Sequence, residues 1–480
     1  MILSELLRGV DILESTAALT TEITGVSYDS RKTAPGDLFV AMTGYETDGH
    51  RFIPMALEKG AACVLCQQKP EADIPYVLTG DSRAALAQVG RNWYGDPAGR
   101  MTLAGVTGTN GKTTAATLLY EMAKFEGYKA GLLSTVCNYI HERRVEATHT
   151  TPDALELNAL LAQMVEEGCD YAFMEVSSHA AAQHRIAGLR FAGGIFTNLT
   201  RDHLDYHGTV ENYMNAKKSF FDMLPADAFA LVNIDDKAGM YMLQNTKARK
   251  YTYSLRSDAD FRCKILETRL DGTLLMLNGR EVEVNFTGKF NAYNLTDVYG
   301  ASVLLGFPQE EVLVNMSKLV PVSGRFQTFG NPDGVVAIVD YAHTPDALIN
   351  VLDTIREIVG ADGEITTVVG CGGNRDHGKR PMMARESALR SDHLILTSDN
   401  PRFEEPDAII ADMKAGLTSA DMRKTLCITD RREAIRAAIR QAKPGSVVLV
   451  AGKGHETYQE VKGVRNHFDD KEEVLAVLAE

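Results

Sequence analysis

No apolar stretch in this sequence is long enough to cross a bilayer. The longest runs, such as 446–451, fall far short of the roughly 20 residues that a membrane helix needs. The opening MILSELLRGVDILES has a helical pattern. It lacks the basic start and small-residue cleavage site of a signal peptide, so the chain is expected to work in the cytoplasm. Positive charge is not in excess either. Fifty Lys and Arg stand against 64 Asp and Glu, a net charge of −14, which argues against general binding to nucleic acid or to an anionic membrane. It leaves room for an anionic substrate, because local basic groups and backbone amides can hold phosphates. Cysteine is sparse and odd in number, seven in all. The C-x-x-C formed by Cys63 and Cys66 lies in the apolar run AACVLC, which reads as a strand, where residues three apart face opposite sides. No second C-x-x-C completes a zinc site, so these two cysteines are expected to pack in a core.

What is present points to an enzyme of several domains. A chain of 480 residues exceeds what one hydrophobic core supports. The first block, 1–99, carries short strands (GDLFVAM, AACVLC, PYVLT) and helices, and ends in the turn-rich Gly95-Asp96-Pro97-Ala98-Gly99. The second, 100–322, alternates strands such as YAFMEV, GGIFTNL and AFALVN with helical stretches, the signature of a parallel α/β sheet. The third, 323–480, repeats that alternation with GVVAIVDY, EITTVVG, HLILTS and GSVVLVAG. The expected fold class is α/β in three domains: an N-terminal α/β domain, a central P-loop domain on a parallel sheet, and a C-terminal Rossmann-like domain.

The strand MTLAGVTG runs into Thr107-Gly108-Thr109-Asn110-Gly111-Lys112-Thr113-Thr114, and a helix (AATLLYEMAKFEG) follows. Glycines let backbone amides close around phosphate oxygens, and the helix N-terminus adds a favourable dipole. Lys112 can reach the β- and γ-phosphates, and Thr113 can place its hydroxyl on Mg2+. The segment therefore predicts ATP or GTP binding. Its spacing departs from G-x-x-x-x-G-K-S/T, since Val106 stands where the first glycine should be and Gly105 comes one residue early. Glu175 ends the strand YAFMEV, where a carboxylate beside a phosphate loop is suited to Mg2+. The polar cluster at 198–208 follows the strand GGIFT and should lie at the same sheet edge. Three more polar loops each follow an apolar strand of the third block: 373–381, Asp399-Asn400-Pro401-Arg402, and Gly452-Lys453-Gly454-His455-Glu456. They should converge at the C-terminal edge of one sheet, the usual ligand position in such folds.

The loop variant T-G-T-N-G-K-T resembles that of the Mur ligase and folylpolyglutamate synthetase superfamily. Other segments carry the likeness across nearly the whole chain: the N-x-x-x-D-H-x-D pattern from Asn198, Ala216-Lys217-Lys218-Ser219-Phe220-Phe221, Ser323-Gly324-Arg325-Phe326 and Asp340-Tyr341-Ala342-His343-Thr344-Pro345. The resemblance implies an amide-bond-forming, ATP- and Mg2+-dependent ligase with Lys112, His203 and Lys217 as catalytic residues. It assigns ATP binding to Gly108, Thr109, Asn110, Gly111, Lys112, Thr113, Thr114, Asn294, Arg325 and Asp340. Metal binding falls to Thr113, Glu175, His203 and Lys217, the last as a carbamate. It makes the first block a uridine-nucleotide domain, with Tyr28, Ser30, Tyr45, Glu46 and Thr47 near the UDP-sugar. Thr150, Thr151, Ser177, Gln183 and Arg185 would meet the muramoyl-peptide.

The D-N-P-R segment is similar to that of family members that add meso-diaminopimelate, whereas lysine-adding relatives lack the arginine. On that likeness Arg375, Asp399, Asn400, Pro401, Arg402, Gly452 and Glu456 would bind diaminopimelate. Arg402 can pair with its extra carboxylate, and Glu456 can accept from its ammonium. Three small molecules are thus the expected partners of a monomer. The alternatives are a lysine-adding or folate-extending relative, or a P-loop ATPase switch.

Overall fold

A computed structural model describes residues 1–44, 47–147, 149–332 and 334–480. The first sheet contains β1 (Ile12–Ser15), β2 (Gly25–Ser27), β3 (Asp37–Val40), β4 (Cys63–Cys66) and β5 (Tyr76–Thr79) in the order β1-β5-β4-β3-β2. Alternation along β4 separates the C-x-x-C as expected. Cys63 packs with Leu38 and Leu65, while Cys66 joins Phe39 and Val64 on the other face. The helical pattern read at the N-terminus holds only for Leu3–Leu6, and Ile12–Ser15 is a strand paired with β5.

The second sheet has eleven strands: β6 (Thr102–Thr107), β7 (Ala130–Leu133), β8 (Asn138–Ile140), β9 (Arg143–Val145), β10 (Tyr171–Glu175), β11 (Gly193–Phe196), β12 (Phe229–Asn233), β13 (Arg249–Ser254), β14 (Phe261–Thr268), β15 (Thr273–Leu277) and β16 (Arg280–Val284). Their order is β16-β15-β14-β13-β12-β11-β6-β10-β7-β8-β9. The centre is parallel, as its apolar runs imply, but both flanks are antiparallel: β7-β8-β9 on one side and β14-β15-β16 on the other. The expected parallel sheet forms the centre, and the antiparallel flanks extend it. Successive residues of the central strands face different cores. Ala104, Val106, Phe173 and Ile195 join one, and Leu103, Ala172, Met174 and Phe196 the other. Strand β6 comes first in sequence yet lies between β10 and β11. The loop leaving it thus sits where the strand order switches direction, the place where such folds open a ligand crevice.

The third sheet orders β17 (Gln327–Gly330), β18 (Val336–Asp340), β19 (Ile365–Val369), β20 (His393–Leu396), β21 (Thr425–Cys427) and β22 (Val447–Ala451) as β17-β18-β22-β19-β20-β21, parallel except for β17. A hairpin of β23 (Tyr458–Val461) and β24 (Val464–His467) follows. Among the described residues no helix is long and apolar enough to cross a membrane.

Candidate active site

The loop after β6 is held on both sides by its own chain. Gly111, at φ 89°, precedes the helix Lys112–Phe125, and a Cβ added there would lie 2.4 Å from Asn294 Oδ1. A Cβ on Gly108 would stand 1.8 Å from Thr197 Oγ1. Thr109 N donates to Asn198 O at 2.8 Å, Asn110 N to Asn198 Oδ1 at 2.9 Å, and Thr197 Oγ1 to Asn110 O at 2.6 Å. The segment after β11 is thereby tied to the loop after β6, as the sequence led one to expect.

Lys112 Nζ folds back to donate to Gly108 O at 3.0 Å and Thr109 O at 2.9 Å. Burial lowers its pKa, and Glu175 and Asp202 work against that shift. Lys217 is the surprise of this region. Read from sequence alone it is a solvated helix lysine; here it is 1% exposed, donates to Gly108 O at 2.7 Å and lies 4.5 Å over the Tyr213 ring. Burial, reinforced by the charge of Lys112, pushes its pKa well below the ordinary lysine value.

A cleft of about 610 Å³ opens beside the loop, and Thr109, Asn110, Gly111, Lys112, Thr113 and Thr114 line it. So do Thr150, Glu175, His203 and Asn294 from the central part of the chain, and Arg325 and Asp340 from the third sheet. Glu175 is buried and accepts from Thr135 N at 2.7 Å and Thr135 Oγ1 at 3.2 Å. His203, at φ 51°, has Nε2 3.4 Å from Asp202 Oδ2. Burial alone would raise the Asp202 carboxyl, but His203, His343 and Lys112 around it leave it below the usual carboxylate range. Arg325 Nη2 donates to Thr113 Oγ1 at 3.2 Å, a direct bond from the third block onto the phosphate loop. Both Asp340 oxygens are committed to backbone, accepting from Phe326 N and Ala342 N at 2.7 Å each.

A second polar network borders this cleft. Thr151 Oγ1 donates to Glu175 O at 2.8 Å and accepts from Ser177 N at 3.1 Å. The resemblance brings Arg185 to the muramoyl-peptide. Here it donates to Thr151 O at 2.7 Å and forks onto Gln183 Oε1 at 3.0 and 2.7 Å. In the first block, Tyr28 donates to Asp153 Oδ2 at 2.7 Å, Ser30 Oγ lies 3.3 Å from Met55 Sδ, and Thr47 is exposed. Tyr45 and Glu46 lie outside the described residues.

The three polar loops of the last block do meet at one sheet edge. Gly373 N donates to Asn400 O at 2.9 Å, and Arg402 Nη1 to Gly373 O at 2.8 Å. Asn400 Nδ2 donates to Glu456 Oε2 at 2.7 Å, Asp399 is buried, and a Cβ on Gly452 would meet Asp399 Oδ2 at 2.7 Å. Pro401 is buried, and Arg375 is exposed on its loop. The sequence reading missed Lys453, which is fully buried and donates to Glu456 Oε2 at 3.1 Å and Asn400 Oδ1 at 3.2 Å. Glu456 thus already has a cationic partner. Burial and the nearby Asp399 still raise its pKa. The only sequence signal for Lys453 was its place between two glycines after a wholly apolar strand. The cleft and this cluster adjoin through the ends of β18 and β22, where Gly452 N donates to Asp340 O at 3.1 Å.

Comparison with known proteins agrees with this layout. Three family models match in turn: the Mur ligase family, catalytic domain over 22–94, the Mur ligase middle domain over 106–301, and the Mur ligase, glutamate ligase domain over 324–454. The UDP-N-acetylmuramoyl-L-alanyl-D-glutamate–2,6-diaminopimelate ligase of Bacteroides thetaiotaomicron is 58% identical over 475 residues, 98% of each chain. That of Parabacteroides distasonis is 59% identical over 482 residues, covering 100% of this chain and 99% of its own. A solved structure of an enzyme of the same name aligns with TM-score 0.71 at 35% identity, covering 100% of this chain and 99% of that one.

Proposed function

The chain belongs to the Mur ligase family, and from that premise we propose that it joins meso-2,6-diaminopimelate to UDP-N-acetylmuramoyl-L-alanyl-D-glutamate at the expense of ATP. The observation that carries this reading is the junction of two sites. A phosphate loop bonded to Arg325 adjoins, through β18 and β22, a loop cluster built around Arg402. The muramoyl-peptide enters by Thr150, Thr151, Ser177, Gln183 and Arg185. Its UDP-sugar end lies toward the first sheet, where we assign Tyr28, Ser30, Tyr45, Glu46 and Thr47. The protein acts as a monomer in the cytoplasm.

A carboxylate oxygen of the D-glutamyl residue attacks the γ-phosphorus, the bond to the β–γ bridging oxygen breaks, and ADP leaves an acyl phosphate behind. The amine of diaminopimelate then attacks the acyl carbon and loses a proton, and phosphate departs with one former carboxylate oxygen. Lys112 and Arg325 offset charge on the transferring group, and held substrates replace a chance encounter with an oriented one. Asn294 braces the loop through Gly111, and Asp340 fixes the backbone that carries Arg325.

Mg2+ fits as an ion shared with the nucleotide. Among the described residues no three His, Cys, Asp or Glu side chains cluster into a cage of their own. Thr113, Glu175 and His203 line the cleft, and Mg2+ commonly takes one or two carboxylates together with substrate phosphates. When bound it would supply positive charge opposite the phosphates. We assign Lys217, as a carbamate, to the same duty. Its depressed pKa supports this, because the neutral nitrogen is the form that adds carbon dioxide. In carbon-13 bicarbonate the protein should show a carbamate NMR resonance that Lys217→Ala lacks; the same spectrum from both proteins would remove the assignment.

The mechanism is tested with a muramoyl-dipeptide labelled with oxygen-18 in the glutamyl carboxylate. Label should appear in the released phosphate. Unlabelled phosphate, with amide product formed, would rule out the acyl phosphate route.

A further inference from the structure

We propose that Tyr341 is a positioning residue: its ring holds the Arg325 guanidinium at the phosphate loop and ties that arginine to the loop 452–456 serving the amino acid. The proposal rests on the ligase reading and extends it to a residue that lines the same cleft but has no role assigned above.

Arg325 has few other restraints. Nη2 donates to Thr113 Oγ1 at 3.2 Å, but Nε is buried without a hydrogen-bond partner. The neighbouring Asp340 carboxylate attracts it by charge, yet both oxygens are committed to Phe326 N and Ala342 N. The guanidinium carbon lies 4.5 Å from the centre of the Tyr341 ring, within the range of a cation over an aromatic face.

Tyr341 is itself packed among the last block's loops. Its ring centre lies 4.9 Å from that of His455 and 4.6 Å from that of His343. The backbones touch as well. A Cβ on Gly324 would stand 2.1 Å from His455 N, and one on Gly454 would stand 2.7 Å from Tyr341 Cβ and from Gly324 O. The turn that carries Arg325 cannot shift without moving loop 452–456, whose Gly452 and Glu456 we assign to the amino acid. Burial lowers both histidines, His343 to about 4 and His455 to about 3, so no second cation faces Arg325 from these rings near neutral pH. Burial raises the Tyr341 pKa, so the phenol stays neutral. The ring, not the hydroxyl, does the holding.

The full-length protein is assayed for phosphate release with all three substrates, alongside binding of a non-hydrolysable ATP analogue. Tyr341→Leu should lower kcat by about 10- to 100-fold, the scale of a misplaced catalytic group. KM for diaminopimelate and affinity for the analogue should stay within about threefold. Tyr341→Phe should restore kcat to within about twofold. On an Arg325→Ala background Tyr341→Leu should add almost nothing, because the two act as one unit. Normal kcat in Tyr341→Leu, equal damage in Tyr341→Phe, or additive losses with Arg325→Ala would each overturn the proposal. If Tyr341→Leu fails to fold, His455→Ala decides: it should lower kcat about three- to tenfold at unchanged analogue affinity, and unchanged kcat counts against the proposal. A wild-type protein that forms no amide would instead overturn the ligase reading.

Discussion

Replacing Lys112 with Met should lower kcat for phosphate release by on the order of 10²- to 10³-fold, the usual effect of deleting one preorganised electrostatic contact to a transition state. Met keeps the length and apolar stem of the side chain, so the helix Lys112–Phe125 and its packing should survive. The loss should fall mainly on kcat, because charge on the migrating group peaks in the transition state. The same lysine predicts a proton linkage. Burial lowers its pKa in the free protein, and an adjacent triphosphate favours the charged form and raises it again. ATP binding should therefore take up protons at pH values between the two pKa values, and affinity should fall as pH rises through that window. Calorimetry in buffers of different ionisation enthalpy measures the uptake, which Lys112→Met should abolish. A variant with full kcat and unchanged proton uptake would remove Lys112 from the reaction.

Arg402→Ala should weaken diaminopimelate binding by roughly 30- to 1000-fold, or about 2–4 kcal/mol, while leaving ATP affinity nearly unchanged. The guanidinium is half-buried and held by Gly373 O. Backbone bonds to Glu460 O at 3.0 Å and from Lys462 N at 2.6 Å clamp the residue in place. It sits at φ 52°, where a side chain is unfavourable. A non-glycine residue in that conformation suggests a duty for the side chain. Arg402→Gly separates the two effects, since it relieves the backbone while deleting the charge. Both variants should lose diaminopimelate affinity and narrow the gap to lysine, measured as the ratio of kcat/KM values. Damage in Ala with none in Gly would show that the backbone, not the guanidinium, was at stake.

Backbone-directed features were the most legible in the sequence. The phosphate loop declared itself because Gly108 and Gly111 stand where a Cβ would strike Thr197 and Asn294. The convergence of the loops bearing Asn400, Arg402 and Glu456 followed from apolar strands that must lie parallel in one sheet. Buried charge was not legible. Lys217 and Lys453 look like surface lysines until the fold encloses them, since nothing in a linear sequence reports desolvation. Side-chain pairing also escaped the reading: Arg185 is engaged by Gln183 and Thr151 O, and Glu456 by Lys453 and Asn400. The antiparallel flank β14-β15-β16 was missed because its strands alternate instead of running apolar, as in the buried-exposed pattern that opens β14. Tyr341 stood inside the segment from Asp340 to Pro345, but only distances show that its ring faces the Arg325 guanidinium and lies tilted against His455.

The central claim is that Lys112 and Arg402 serve one reaction. The most direct measurement is phosphate release with ATP and UDP-N-acetylmuramoyl-L-alanyl-D-glutamate across a panel of amino acids. Release should require all three substrates and favour meso-diaminopimelate over lysine by at least about 30-fold. Equal turnover with lysine, or steady ATP hydrolysis with no amino acid present, would contradict it.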